Sequence, residues 1–240
     1  MGLRIIGGDG SCASGGALES AHSDSLKGRW KANDSGLVLA DDSGNGNNLA
    51  PVGGVTFEHD GADALEDKAV RTNTRNTDYF LSAGGFGPDG TKDFTINTLF
   101  KPRSTGVHSL FGWWTASNHN LYVYFSNNTR LYLIADHSSG VVVEFIDVSS
   151  VLSSYHMVTL THDVSDKRLK VYLDKVVVLN EVYAGTLKDN TNSEFSIGSI
   201  KDSSRVGSNQ DIDESKFWEG DEGLLESATI SEIYDGYFAS

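Results

Sequence analysis

Residues 155–179 constrain the fold more tightly than any other segment, because two alternating runs of residues flank a short polar turn. Val158 and Leu160 share one face of the first run, and the second run, 169–173, alternates in the same way. A period of two is typical of β-strands with one buried face. The turn at 163–167 carries Asp and Ser side chains that reverse a chain through local hydrogen bonds. The segment therefore predicts an antiparallel hairpin.

Shorter runs with strand character recur before this hairpin and are separated by Gly, Asn and Asp residues that favour turns. They cover residues 36–40, 55–57, 69–72, 79–82, 94–100, 109–114, 121–126, 130–135 and 141–146. The polar, acidic segment 201–223 is interpreted as a long loop, and residues 1–28, which are rich in Gly and Ser, as an N-terminal arm or linker. The sequence thus predicts an all-β sandwich domain over 29–240, preceded by an arm.

Several segments resemble the laminin-G-like, or concanavalin A-like, jelly-roll family. The resemblance rests on the hairpin, on FTINTLFKP at 94–102, DDSGNGNN at 41–48, FSIG at 195–198 and the closing segment 224–240. It implies a jelly-roll sandwich of two antiparallel sheets with little helix. Lys175 stands where the family has Gly in the hairpin turn. Either Lys175 adopts a strained conformation at a cost of about 1 kcal/mol, or the turn is of another type.

The loop 41–48 concentrates oxygen-bearing side chains. It matches the first half of an EF-hand loop, but Val52 occupies the twelfth position, where a bidentate Glu is required. Many members of the resembled family bind a structural calcium ion. The resemblance therefore implies Ca²⁺ at or near Asp41, Asp42, Asn45 and Asn47, and the alternative is that these residues only form a turn.

The residues that could carry catalysis are not found together in the sequence. Glucanases of the same fold carry E-x-D-x-x-E on one strand. The nearest segment here is 211–214, which has Asp211, Asp213 and Glu214 but lacks the leading Glu and falls in the predicted loop. The histidines lack zinc-site spacing, and there is no G-x-S-x-G motif. The sequence therefore predicts a non-catalytic protein.

Two adjacent tryptophans provide the candidate ligand-binding residues. Neighbouring residues of a strand point to opposite faces, so Trp113 and Trp114 cannot both enter one core. An exposed ring can stack on a sugar or anchor a protein interface. Together with Asn118 and Asn120 in the following loop, the pair is a candidate binding patch. The alternative is that the arm or a loop covers the second ring.

These observations favour a structural or interaction module that binds a protein partner or copies of itself through the N-terminal arm. Because the family generally acts outside cells and no export signal is evident, the sequence suggests a virion surface component, such as a phage capsid decoration, tail or fibre protein, or another extracellular surface location. A carbohydrate-binding, lectin-like module is the alternative, followed by a glycoside hydrolase. A net charge of −14 disfavours nucleic acid, and no segment is long enough to span a membrane.

Overall fold

A computed structural model of the chain describes residues 22–32, 38–62, 68–73, 78–82, 85–115, 118–199 and 209–238. The strands within these residues are β1 (Leu26–Lys31), β2 (Leu49–Val52), β3 (Thr56–Asp60), β4 (Lys68–Thr72), β5 (Tyr79–Ser82), β6 (Phe94–Pro102), β7 (Val107–Thr115), β8 (Asn118–Ser126), β9 (Arg130–His137), β10 (Gly140–Asp147), β11 (His156–Asp163), β12 (Arg168–Leu173), β13 (Val176–Val182), β14 (Glu194–Ile197) and β15 (Gln210–Glu219). One helix, α1 (Ser227–Phe238), follows the last strand.

The strands form two antiparallel sheets packed face to face. The first sheet has the order β13-β12-β11-β6-β15-β4-β3, and β1 also pairs with β15. The second sheet has the order β10-β9-β8-β7-β14-β5-β2. The hairpin expected at 155–179 is present as β11 and β12, with Leu160 opposite Val171. The predicted two-sheet sandwich is therefore confirmed.

Aromatic side chains fill the centre of the space between the sheets. Trp113 lies against Phe195 with 4.8 Å between ring centroids, and Trp30 lies 5.1 Å from the same ring. Phe86 meets Phe217 edge to face at 5.3 Å. Such tilted and edge-to-face pairs are favoured over parallel sandwiches, because they bring ring edges onto electron-rich faces. The core thus joins β1, β7, β14 and β15 across the sandwich.

The polar segment predicted as a loop contains the central strand β15, so that prediction was wrong over Gln210–Glu219. These charged side chains can be buried in the sheet because they are paired. Glu214 lies 2.7 Å from Arg29 Nε and 2.9 Å from Lys216 Nζ. Burial would raise the pKa of Glu214, but these two cations outweigh it and hold the pKa below its ordinary value.

The sandwich also begins earlier than the predicted boundary at residue 29. Strand β1 starts at Leu26, inside the predicted arm, and pairs with β15 from Leu26 opposite Trp218 to Lys31 opposite Glu214. Residues 1–21 lie outside the described part of the chain. The arm therefore remains a prediction for those residues.

Helix α1 covers part of the outer face of the first sheet. Ile230 and Ile233 are buried, and they pack in one cluster with four side chains of the sheet, Leu99, Met157, Tyr172 and Trp218. Both residues lie in the segment 224–240 that resembles the closing segment of the family, and the sequence analysis did not identify the helix. Within the described residues, no helix is long and apolar enough to cross a membrane.

The hairpin turn between β12 and β13 is formed without strain at Lys175. Asp174, rather than Lys175, has the positive φ, at 57°. Asp tolerates this region better than most residues, since its short polar side chain can form local hydrogen bonds. Here Asp174 Oδ1 accepts from Met157 N at 3.1 Å, and its Oδ2 lies 3.1 Å from His156 Nδ1. The departure from Gly at Lys175 is explained by the different position of the left-handed residue.

Candidate binding surface

The outer face of the second sheet carries a row of stacked aromatic rings. Tyr122 and Tyr124 lie 5.6 Å apart and nearly parallel, and Tyr124 stacks on Tyr132 at 4.7 Å. Tyr132 in turn contacts Phe145 at 5.3 Å, and the guanidinium of Arg130 lies 4.7 Å above the Phe145 ring. The row therefore crosses three neighbouring strands, β8, β9 and β10, and ends on the last of them.

Strand register explains why these side chains meet. Tyr124 lies opposite Tyr132, and Tyr132 lies opposite Phe145. Residues directly opposite each other in an antiparallel pair share a face and lie in contact. The next row repeats the arrangement with Tyr122, Ile134 and Val143. We call the resulting surface the tyrosine face, which consists of Tyr122, Tyr124, Tyr132, Ile134, Val141, Val143 and Phe145.

The tyrosine face becomes more exposed toward the edge of the sheet. Tyr122, Ile134 and Tyr124 are buried, whereas the side chains on β10 are about half exposed, at 54% for Val141, 55% for Val143 and 50% for Phe145. Burial raises the pKa of Tyr124 to about 12, and neighbouring Tyr132 adds to the shift. Its phenol therefore stays neutral at physiological pH. Exposed apolar patches of this kind mark contact surfaces on soluble proteins.

The apolar surface is located at an edge of the second sheet, as the described strands form it. Strand β10 ends the second sheet and β13 ends the first, and the two strands are neighbours on one side of the sandwich. Strand β13 also exposes apolar side chains, at Val176, Val177 and Val182. Edge strands are usually protected from pairing with other chains by Lys, Pro or bulges. Strand β10 contains neither Lys nor Pro, and it pairs with β9 without a register shift.

The sequence contained a signal for this surface that was not used. In β10, apolar residues occupy both alternating sets of positions, Val141, Val143 and Phe145 on one side and Val142 and Ile146 on the other. Val142 and Ile146 pack against the core. An edge strand that is apolar on both faces indicates that its second face also has a contact to make.

The four predicted ligand-binding residues are not placed together on the surface. Trp113 is a core residue with 1% of its surface exposed. Asn120 is also buried, and its Nδ2 donates to Ser193 Oγ at 3.1 Å. Trp114 follows Trp113 in β7 and is partly exposed, while Asn118 begins β8. A ligand at the surface could therefore reach Trp114 but neither Trp113 nor Asn120.

In the predicted calcium loop, the Asp41 carboxylate faces backbone amides. Its Oδ1 accepts from Arg29 N at 3.0 Å and from Ser43 N at 2.9 Å, and its Oδ2 accepts from Asn47 N at 2.8 Å. An ionised carboxylate has about four lone-pair sites, so these three N–H groups use most of the acceptor capacity of Asp41. The arrangement fastens the loop to β1.

The other predicted ligands of the ion are also engaged within the fold. The amides of Asn45 and Asn47 donate to the carbonyls of Leu26 and Lys27 at 2.9 and 2.7 Å. Asp42 lies 3.9 Å from the ammonium of Lys31. Across the described part of the chain, no group of three or more His, Cys, Asp or Glu side chains is placed to hold a metal ion. These contacts use the amide nitrogens of Asn45 and Asn47 and not the oxygens that would coordinate calcium, so the calcium site stays a prediction.

The carboxylates nearest to the glucanase pattern are held by other groups. Asp211 binds Arg71 at 2.6 Å and Arg103 at 3.3 Å, and Asp213 Oδ2 accepts from Ala62 N at 2.6 Å. A glycosidase requires a general acid with a raised pKa, which is the reverse of the lowered pKa of Glu214. The three carboxylates thus stabilise β15 and its neighbours.

The fold and these segments agree with the comparisons to known proteins. A family model described as the concanavalin A-like lectin/glucanases superfamily matches residues 73–221, more than half of the chain. The chain therefore belongs to that superfamily. No significant match was found among curated protein sequences.

Solved structures with the same fold include the binding domains of a mosquitocidal protein and of botulinum neurotoxins. The binding domain of Paraclostridial Mosquitocidal Protein 1 is 18% identical with a TM-score of 0.69, over 91% of this chain and 53% of that one. The botulinum neurotoxin serotype D ligand-binding domain in complex with N-acetylneuraminic acid is 12% identical with a TM-score of 0.69, over 91% and 52%. The botulinum neurotoxin DC binding domain in complex with rat synaptotagmin II is 10% identical with a TM-score of 0.67, over 90% and 52%. This chain spans about half the length of each.

Proposed function

We propose that this chain is a non-catalytic binding module that contacts a protein through the tyrosine face and the free edge of β10. The observation that carries the proposal is the half-exposed row of Val141, Val143 and Phe145 on an edge strand, backed by buried tyrosines. The binding of synaptotagmin II and of N-acetylneuraminic acid by domains of the same fold supports a binding role. A shared fold does not by itself carry the ligand over.

The chemistry of this surface favours a protein over a sugar. Sugar sites combine an aromatic platform with polar groups that fix the hydroxyls. The exposed part of the tyrosine face is instead aliphatic at Val141 and Val143, and the ion pair of Arg130 with Asp147, at 2.7 Å, lies at its border. An edge strand offers unpaired backbone groups to an added strand, and apolar side chains then give specificity. A protein strand added to this edge would pair with the backbone groups of β10 and cover its apolar side chains.

A second copy of the chain is the partner that the strand itself favours. If two β10 strands pair antiparallel about a two-fold axis through Val143, then Val143 faces its own copy and Val141 faces Phe145. On the other side of the strand, Glu144 faces Val142 and not another carboxylate. Such a self-complementary contact is the usual form of a symmetric dimer interface. Sheets joined in this way would continue the tyrosine face from one copy into the next.

Light scattering on the full chain over a range of concentrations tests this function. We expect the mass to rise toward that of a dimer, and we expect Val143→Thr combined with Phe145→Thr to remain monomeric. Thr keeps the β-propensity of the strand while removing apolar surface. The matched control is Val182→Thr, which changes an exposed Val on β13, an edge strand of the first sheet. A double variant that associates as the wild-type chain does would contradict the proposal.

Attachment through the predicted arm and placement on a virion surface are narrower proposals. Removal of residues 1–21 tests the first of them, since those residues precede every described strand. If association is lost on truncation and kept in the β10 double variant, then the arm replaces β10 as the contact. If truncation has no effect, the association does not depend on those residues.

Glycan binding at Trp114 is the second candidate function. Its support is the partial exposure of Trp114 beside the buried Trp113. A glycan array on the wild-type chain and on Trp114→Ala separates it from the first candidate. A defined sugar signal that is lost in Trp114→Ala and kept in the β10 double variant would place the ligand site at Trp114.

A further inference from the structure

The outer face of the first sheet carries a second surface of opposite character, beyond the part that α1 covers. Arg71 on β4, Asp211 on β15 and Lys101 on β6 are direct partners across three adjacent strands. Partners in register share a face, so the three side chains form one row. Arg103 follows the end of β6 on the same side and joins the row through Asp211.

Asp211 orients two guanidinium groups. Arg71 binds it in a bidentate manner, with Nε 2.6 Å from Oδ1 and Nη2 3.2 Å from Oδ2. Arg103 Nη1 lies 3.3 Å from Oδ2. The Asp211 side chain is almost fully buried, whereas the side chains of Arg71 and Arg103 are 21% and 38% exposed. A guanidinium group has five N–H donors, so both arginines keep donors for a further acceptor.

Lys101 adds a third positive charge to this row. Its Nζ lies 5.2 Å above the ring of Tyr155, whose hydroxyl donates to the carbonyl of Asp60 at 2.6 Å. Lys101 has no ion pair with any described carboxylate. The contact with Tyr155 holds the ammonium at the surface while leaving its hydrogen-bond donors available.

The remaining charged groups around the row do not cancel this excess. Burial lowers the pKa of His59, and the charges of Arg71 and Arg103 lower it further against the opposing effects of Asp211 and Asp60. Asp60 faces the same region from β3. Three cations thus stand beside two carboxylates, Asp60 and the buried Asp211 that the two arginines share, in a chain with a net charge of −14. Such a local reversal of sign attracts anions.

We propose that Arg71, Lys101 and Arg103 form a binding site for a small oxyanion group, a sulfate, phosphate or carboxylate. Arginine recognises such groups by paired N–H donors, and Asp211 holds both guanidinium groups in place. The site is too small for a nucleic acid backbone, which is typically held by about six to ten phosphate contacts. The site is separate from the tyrosine face, so it does not depend on the proposed function.

Titration of the full chain with sodium sulfate, phosphate or acetate at constant ionic strength tests the site by calorimetry. We expect saturable binding, and the ranking of the three salts will separate a tetrahedral anion from a carboxylate. Lys101→Gln and Arg103→Gln should each weaken binding about fivefold, the effect of losing one exposed charge pair. Lys170→Gln is the matched control, because Lys170 lies on another strand of the same sheet without an ion pair among the described residues.

Sulfate also stabilises folded proteins in general through exclusion from their surfaces, and that effect should be equal in all variants. Only the saturable part of the measured heat of salt binding is assigned to the site. If Lys101→Gln and Arg103→Gln bind sulfate, phosphate and acetate as Lys170→Gln does, or if no salt shows saturable binding, then the row is a structural ion-pair cluster alone. If Lys101→Gln and Arg103→Gln still self-associate, then the β10 contact is intact whether or not anion binding is lost.

Discussion

A buried histidine shows how single residues decide the pH range over which this sandwich is stable. His162 lies inside the fold, with Nδ1 2.9 Å from the carbonyl of Lys92 and Nε2 2.5 Å from the hydroxyl of Tyr183. Since a carbonyl only accepts, Nδ1 carries the proton and Nε2 accepts from Tyr183. This neutral tautomer satisfies both partners. Burial lowers the pKa of His162, despite the opposing effect of its hydrogen bond to Lys92.

The lowered pKa predicts a loss of stability in acid. As the pH falls below about 6.5, the unfolded chain takes up a proton at His162 before the folded chain does. The free energy of unfolding therefore decreases as the pH falls toward the folded-state pKa. We expect His162→Gln to flatten this dependence in urea unfolding between pH 5 and pH 8, a range set by ordinary histidine titration.

His22→Gln is the control for this measurement, because His22 is near the protein surface and contacts only the carbonyl of Glu222 among the hydrogen bonds described. It should keep the wild-type pH dependence. A His162→Gln profile that is parallel to the wild-type profile would show that another group is responsible.

At Asp41, one carboxylate holds three backbone amides, so the loop depends on it with or without a metal ion. We expect Asp41→Asn to lower the free energy of unfolding by about 1–3 kcal/mol, since an amide group supplies one acceptor oxygen in place of two. The loss should be the same in EDTA as in calcium chloride if the loop is only a turn. A melting temperature of the wild-type chain that falls in EDTA and is restored by calcium would instead support the predicted ion.

At the scale of elements, the sequence was sufficient to predict the strands in which apolar and polar residues alternate. The strands from Tyr79 to Asp147 and the β11–β12 hairpin were predicted from alternating apolar residues and turn residues, and they are present. Strand β15 was missed because Asp211, Asp213, Glu214 and Lys216 resemble a solvated loop when read alone. Their partners, such as Arg29 and Arg71, lie 140 or more positions away in the sequence. Burial of those charges is therefore a tertiary effect.

Helix α1 was missed for a different reason. Ile230, Ile233, Tyr234 and Tyr237 have the spacing of a helical stripe, but the segment was matched to a closing pattern of the family instead. For the binding surface, strand alternation predicted that Trp113 and Trp114 lie on opposite faces of β7. It could not show that the aromatic row on β8 to β10 shares a face, because that depends on the register of three strands.

The stability contributed by α1 can be measured by truncating one of its buried side chains. Ile230 is 1% exposed and packs in the cluster with Leu99, Met157 and Trp218. We expect Ile230→Ala to lower the free energy of unfolding by about 2–5 kcal/mol, since it removes buried methyl groups and leaves a cavity. Glu232→Ala, at an exposed position of the same helix, should change it by less than about 0.5 kcal/mol. Equal effects in urea unfolding would contradict the packing described for α1.

At the scale of the whole molecule, the two outer faces differ in what lies on them. The first sheet places α1 over Leu99, Met157, Tyr172 and Trp218, and it presents the basic row beyond the helix. The second sheet presents the tyrosine face, which is buried over β8 and exposed on β10. A binding module needs a stable scaffold and a surface that its own chain does not cover. In this chain we assign the scaffold to the paired sheets and the surface to the edge at β10.

Amide hydrogen exchange measured at low and at high protein concentration tests this assignment most directly. If copies pair through β10, amides within Gly140–Asp147 should exchange more slowly at high concentration, because backbone groups at the free edge become hydrogen bonded. Amides of β13, Val176–Val182, the edge strand of the first sheet next to β10, should exchange at the same rate in both samples. Equal exchange of Gly140–Asp147 at both concentrations, in a sample that light scattering shows to associate, would contradict the account.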